Sequence, residues 1–172
     1  MRVALFGGMF NPVHNGHLLI AEAAREKHRL SRVIFLPAGL PPHKKRPRTS
    51  AAHRLAMLRL AIRGNPAFQI SDWEIRQGRV VYTYQTLEHF RRARPKDSLF
   101  FLVGADSLKN LPHWRESHRL RKLARFISHD RIAPFASHAI RRRVKRRESI
   151  RYQVPEAVER YIRSRRLYLK SE

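Results

Sequence analysis

Residues 7–17 read Gly7-Gly8-Met9-Phe10-Asn11-Pro12-Val13-His14-Asn15-Gly16-His17, directly after the short apolar run Val3-Ala4-Leu5-Phe6. The apolar run reads as a buried strand, and the glycines read as the turn that ends it. An amphipathic segment, Leu18 to Lys27, begins at once and reads as a helix. A strand, a Gly-rich turn and a helix start bring backbone N–H groups and the positive end of a helix dipole to one place, which suits phosphate. His14 and His17 stand three apart at the helix entrance and so share a face. There their N–H groups can donate to phosphate oxygens that gather negative charge. A tight turn with two surface histidines is the plainer alternative, and a histidine pair at this spacing does not decide the matter alone. The Gly-Gly, the Asn-Pro and the strand–turn–helix setting favour phosphate.

Outward from this stretch, short apolar runs alternate with amphipathic segments. Strands are expected at Arg2–Phe6, Arg32–Leu36, Phe68–Ile70, Leu99–Val103 and Arg125–Ser128. Helices are expected at His17–Lys27, Ala51–Ile62, Thr83–Arg92, His118–Leu123, Ser137–Val144 and Pro155–Arg165. The alternation argues for an α/β fold with a parallel sheet covered on both faces. Phosphate ligands of such sheets bind outside the carboxyl ends of the strands. The first turn and the segments after Leu36 and Val103 all lie at that edge. Pro155 suits the first position of the last helix, whose apolar face carries Val154, Val158, Tyr161 and Ile162.

The chain has 172 residues and is 42% hydrophobic, so a single domain over 1–172 with a substantial core is expected. No apolar run approaches the roughly 20 residues that span a bilayer, and no leader pattern precedes Val3, so a cytoplasmic protein without a membrane partner is expected. The absence of cysteine excludes disulfides, thiolate zinc sites and a cysteine nucleophile. The net charge is +24, from 37 Lys and Arg against 13 Asp and Glu. Such a field attracts anions, whether nucleotides, nucleic acid or lipid headgroups. Much of it lies late, in Arg141-Arg142-Arg143-Val144-Lys145-Arg146-Arg147 and from Arg163 to Arg166. These runs read either as solvated helix faces or as a non-specific nucleic-acid contact, and no named nucleic-acid module accompanies them.

Further blocks carry chemistry. Leu36-Pro37-Ala38-Gly39-Leu40-Pro41-Pro42-His43-Lys44 follows a strand and ends in positive charge. Its prolines stiffen the loop, Lys44 is a point charge for phosphate, and His43 can donate beside it. An exposed basic loop is the alternative. Thr83, in Val81-Tyr82-Thr83-Tyr84-Gln85-Thr86-Leu87, is suited to cap a helix. Asp106, in Val103-Gly104-Ala105-Asp106-Ser107-Leu108, lies just past a strand end, where its carboxylate can accept from a ribose or an amide. Trp114 offers a flat face to an aromatic ring or packs in the core. Met57 reads as core.

The block from Gly7 to His17 resembles the signature of the HxGH nucleotidyltransferases, and the chain as a whole is most similar to the nicotinate-mononucleotide adenylyltransferase family. The segments with His43 and Lys44, with Thr83, and with Asp106 and Trp114 resemble that family's mononucleotide-binding segments. The resemblance is close over about 1–126 and returns over about 140–165. In between, Phe135-Ala136-Ser137-His138-Ala139-Ile140-Arg141 is similar to the family's Ile-Ser-Ser/Ala-Thr-x-Ile-Arg motif at Ser137, Ile140 and Arg141, with Ala136 and His138 in place of Ser and Thr. Roughly 25–30 residues of the family's usual length are missing before it, about one strand and one helix. A sheet edge would then be left bare.

The resemblance implies a Rossmann-like doubly wound sheet of the nucleotidyltransferase type. It implies transfer of the adenylyl group of ATP to nicotinate mononucleotide, giving deamido-NAD and pyrophosphate. His14 and His17 would be catalytic. Gly7, Gly8, Phe10, Gly16, Ser137 and Arg141 would bind ATP with them. His43, Lys44, Thr83, Asp106 and Trp114 would bind the mononucleotide. Mg²⁺ is expected to arrive with ATP, since no carboxylate cluster suggests a dedicated metal site.

Overall fold

The computed structural model describes residues 1–40, 49–129 and 135–169. Among these, β1 (Arg2–Gly8), β2 (Arg32–Pro37), β3 (Phe68–Ile70), β4 (Ser98–Gly104) and β5 (Arg125–His129) form one parallel sheet in the order β3-β2-β1-β4-β5. Helices α1 (Asn15–Lys27), α2 (Ala51–Ile62), α3 (Trp73–Arg76), α4 (Thr83–Ala93), α5 (Ala105–Lys109), α6 (Ser117–Leu123), α7 (Ser137–Lys145) and α8 (Glu156–Ser164) connect and cover it.

After their polar first residues, the inner strands run apolar because alternate side chains enter two different cores. Ala4, Phe6, Val33, Phe35, Phe100 and Leu102 face a layer closed by Ile20 and Ala24 of α1, Met57 and Leu58 of α2, Ile140 of α7, and Val158 and Ile162 of α8. Val3, Leu5, Ile34, Leu36, Phe101 and Val103 face the opposite layer, with Leu87 and Phe90 of α4 and Leu120 of α6. Met57 is fully buried, as its reading as core requires.

Strand order reverses at β1. The chain runs outward from β1 through β2 to β3, then returns to β1's other side as β4 and β5. A crevice opens at such a point, outside the carboxyl ends of the strands. Gly7-Gly8 ends β1 there, flanked by Pro37 at the end of β2 and Gly104 at the end of β4.

The expected strands and long helices all form, with ends that differ by no more than two residues. Two cap assignments differ. Pro155 caps α8 from outside the helix, in extended conformation, and its carbonyl accepts from the N–H groups of Val158 at 2.9 Å and Glu159 at 3.0 Å. Thr83 is the first helical residue of α4, not its cap. The cap is Tyr82, whose N–H donates to Gln85 Oε1 at 3.0 Å. β5 is the outer strand of the described sheet, and only residues 130–136 separate it from α7.

Candidate active site

The turn after β1 is held from four distant points. Arg54 Nη1 of α2 donates to Met9 O at 3.0 Å, and Arg141 Nη1 of α7 donates to Asn11 O at 2.8 Å. Ser137 Oγ, at the start of α7, donates to Pro12 O at 2.9 Å, and Tyr168 Oη donates to Asn11 Oδ1 at 2.8 Å. Arg54 is only 1% exposed, and burial lowers its pKa from the ordinary arginine value. A buried cation is costly unless polar groups meet it, and here a turn carbonyl does so. Phe10 adopts a left-handed conformation, with φ of 47°. Its buried ring packs edge-on against His17 at 5.0 Å, supporting the site from the core side. A Cβ on Gly8 would stand 2.9 Å from that ring.

His14 caps α1. The His17 N–H donates to His14 Nδ1 at 3.3 Å and to His14 O at 2.9 Å, while the His14 N–H donates to His17 Nδ1 at 3.2 Å. Each ring therefore spends Nδ1 as an acceptor. A neutral imidazole so engaged carries its proton on Nε2. The rings stack with centroids 3.6 Å apart and planes 20° from parallel. Burial brings His14 down to about 4. His17 is held well below the usual histidine value, first by burial and then by the neighbouring His14 and His129. Two neutral N–H donors thus stand at the amino end of a helix whose first turn holds no acidic residue to oppose the dipole. Gly16 lets this happen, because a Cβ there would lie 2.6 Å from Phe135 Cβ and 3.1 Å from His14 Nδ1.

On the β2 side, Gly39 passes so close to α3 that a Cβ would stand 2.5 Å from Glu74 O, and Leu40 bridges to Val80. The Glu74 carboxyl accepts from Thr86 Oγ1 at 2.8 Å, and burial raises its pKa to about 7. Thr83 sits between Tyr82 and Tyr84, whose rings stack 6.4 Å apart. The Arg115 guanidinium lies 4.6 Å from the Tyr82 ring centre and that of Arg119 lies 5.3 Å from Tyr84. Asp106 is exposed in the first turn of α5, two residues past the end of β4. Trp114 is partly buried against the second layer, edge-on to Phe126 at 6.3 Å. His43 and Lys44 lie outside the described residues.

The histidines, Gly7, Gly8, Phe10, Gly16, Ser137 and Arg141 are thus brought to one turn. Sequence reading missed Arg54 and Tyr168 as supports of that turn, the cover given by Phe135, and His129. The signal for Tyr168 was slight, an aromatic residue after the last amphipathic helix. A cavity of about 590 Å³ lies elsewhere, lined by Ser98 and Leu99 at the start of β4 and by Arg125 and Phe126 at the start of β5. It is at the amino ends of these strands, opposite the carboxyl edge that carries the histidine pair.

A paired imidazole cap at the switch point of a doubly wound sheet is the arrangement of a nucleotidyltransferase. Residues 5–162 match the Cytidylyltransferase-like family, and the chain belongs to it, among the nicotinate-nucleotide adenylyltransferases. A protein of Thermomicrobium roseum named probable nicotinate-nucleotide adenylyltransferase is 43% identical, with 97% of this chain and 91% of that one covered. One of the same name from Exiguobacterium sibiricum is 41% identical, with 98% and 99% covered. The first alignment is 195 positions long against a chain of 172, so at least 23 positions face gaps in this chain. The Plasmodium falciparum nicotinic acid mononucleotide adenylyltransferase solved with NaAD shares the fold. Its TM-score is 0.79 at 16% identity, with 99% of this chain and 98% of that one covered.

The lowered His14 pKa makes stability depend on pH. Between about 4 and 6.5 the unfolded chain binds more protons than the fold, so stability falls as pH falls through that window. The loss should be on the order of 3 kcal/mol by pH 4. Glu74 acts in the opposite sense, because its raised pKa favours the fold at low pH and that share is lost as pH rises through about 7. Its contribution cancels between parent and variant. Urea unfolding at pH 7 and pH 4.5 should show a smaller acid loss for His14→Asn, which keeps a cap acceptor. Equal losses in the two proteins would contradict the assignment.

Proposed function

We propose that this chain transfers the adenylyl group of ATP to nicotinate mononucleotide, releasing deamido-NAD and pyrophosphate. The single observation that carries this reading is the reciprocal His14–His17 cap, which presents two neutral Nε2–H donors at a helix amino end. An oxygen of the mononucleotide phosphate attacks the α-phosphorus of ATP in line, a new P–O bond forms, and the bond to the pyrophosphate oxygen breaks. The attacking phosphate is largely a dianion near pH 7, so no general base is assigned. His14 and His17 donate to the α-phosphate oxygens as charge gathers on them. Ser137 and Arg141, joined to the same turn, hold the rest of the triphosphate. Gly7, Gly8 and Gly16 keep the turn open to it. His43 and Lys44 hold the mononucleotide phosphate, while Thr83, Asp106 and Trp114 place its ribose and ring.

Mg²⁺ neutralises phosphate charge and enters on the triphosphate, whose oxygens are the hard ligands it prefers. Among the described residues no group of three or more His, Asp or Glu is placed to hold a metal. The reaction is assigned to the cytoplasm. Among the described residues no helix is long and apolar enough to cross a membrane.

Product formation from Mg-ATP and nicotinate mononucleotide tests the reading. His17→Ala should lower kcat about a hundredfold. Arg141→Ala should raise KM for ATP much more than KM for the mononucleotide. A strong preference for nicotinamide mononucleotide or phosphopantetheine would move the acceptor, and equal effects of Arg141→Ala on both KM values would contradict its role. A second reading concerns nucleic acid. It is favoured by the exposed Arg142, Arg146, Arg147, Arg163, Arg165 and Arg166 on the outer side of α7 and α8 and their flanks. Binding to a fluorescent single-stranded DNA of arbitrary sequence should then weaken steeply between 50 and 200 mM salt. Absence of binding at 50 mM would contradict it.

A further inference from the structure

We propose that His129 is a third imidazole of the phosphate site and binds the triphosphate of ATP beside His17. The proposal rests on the adenylyl-transfer reading above and adds a residue that the family's signature motifs do not include. His129 ends β5, and its register partner is Gly104, the last residue of β4. β4 in turn pairs with β1 through Leu102 and Phe6, so His129 lies at the same carboxyl edge as Gly7-Gly8.

Strand alternation sets the face. Ile127, two residues earlier, is buried in the layer that holds Phe6, Phe10 and α1. Residues i and i+2 of a strand share a face, so His129 belongs to the side of the sheet on which the histidine pair stands. The ring contacts agree. Phe6 has the His17 ring 6.1 Å away and the His129 ring 5.9 Å away, the latter edge-on. A positive charge on His129 is felt at His17, where it lowers the pKa.

A histidine that merely ends an exposed edge strand would need none of these features. His129 is partly exposed, whereas His14 is buried. A ligand held by the His14–His17 pair at this edge would therefore reach His129 from its solvent side. Such a ligand must span several ångströms, carry repeated negative charge and accept hydrogen bonds from N–H donors. A polyphosphate chain does all three. The contact is non-covalent, an imidazole N–H or imidazolium donating to a phosphate oxygen.

The test reads binding apart from turnover. Titration calorimetry of the full chain with inorganic tripolyphosphate, with Mg-ATP and with adenosine compares the parent with His129→Ala and His129→Gln. His129→Ala should weaken tripolyphosphate and Mg-ATP about tenfold and leave adenosine unchanged. His129→Gln, which keeps an N–H donor, should recover part of the loss. In turnover, KM for ATP should rise while KM for the mononucleotide stays. Tripolyphosphate binding equal in all three proteins would overturn the proposal, as would a loss confined to adenosine. A variant that loses tripolyphosphate, adenosine and thermal stability together would mark His129 as structural and overturn it too. A parent that binds neither tripolyphosphate nor Mg-ATP would overturn the functional reading itself.

Discussion

The pair of backbone-to-ring hydrogen bonds between His14 and His17 is the interaction on which the site depends. It does three things at once. It satisfies N–H groups at the start of α1 that would otherwise lack a helical partner. It fixes the rings face to face. It occupies both Nδ1 atoms, so that both protons are placed on Nε2. A structural device of the helix start therefore sets the direction of both ring donors. Burial completes the arrangement by keeping both rings neutral, and a neutral ring is what leaves Nδ1 able to accept.

The cap works only if the turn before it is still. That turn has almost no regular structure of its own, so its rigidity comes from elsewhere. Three of its carbonyls and the Asn11 side chain receive donors from α2, α7 and the segment after α8. The apolar layer beneath makes this possible. Ile140 fastens α7 to the sheet, Val158 and Ile162 fasten α8, and Phe10 fills the space under His17. Burial that stabilises the fold thus also delivers Ser137, Arg141 and Tyr168 to the turn. β5 is the outer described strand on its side of the sheet, and α7, which follows it, still reaches the site through Ser137 and Arg141.

Much of this was legible in the sequence because the relevant patterns are local. Apolar runs of strand length, each bounded by a turn or a helix signal, gave the strands, and spacing gave the long helices. The strand–turn–helix block located the histidines, and the segment around Ser137 and Arg141 located their neighbours. What escaped was short or remote. α3 and α5 are too brief for periodicity to register. Thr83 looked like a cap, but the backbone of Tyr82 with Gln85 already closes that helix end. Arg54 and Tyr168 act across 45 and 157 residues, and no local pattern encodes such contacts. His129 escaped because a lone histidine at a strand end carries no signal until strand register places it.

The central claim is that the His14 and His17 imidazoles are neutral at pH 7 with their protons on Nε2. Long-range proton–nitrogen correlation spectra of the ¹⁵N-histidine-labelled protein test it directly, with His14→Asn and His17→Asn used for assignment. The account predicts, for both residues, an unprotonated Nδ1 and a protonated Nε2, and an Nε2 resonance that shifts on addition of Mg-ATP. A ring with its proton on Nδ1, or a pair that is charged at neutral pH, would contradict it.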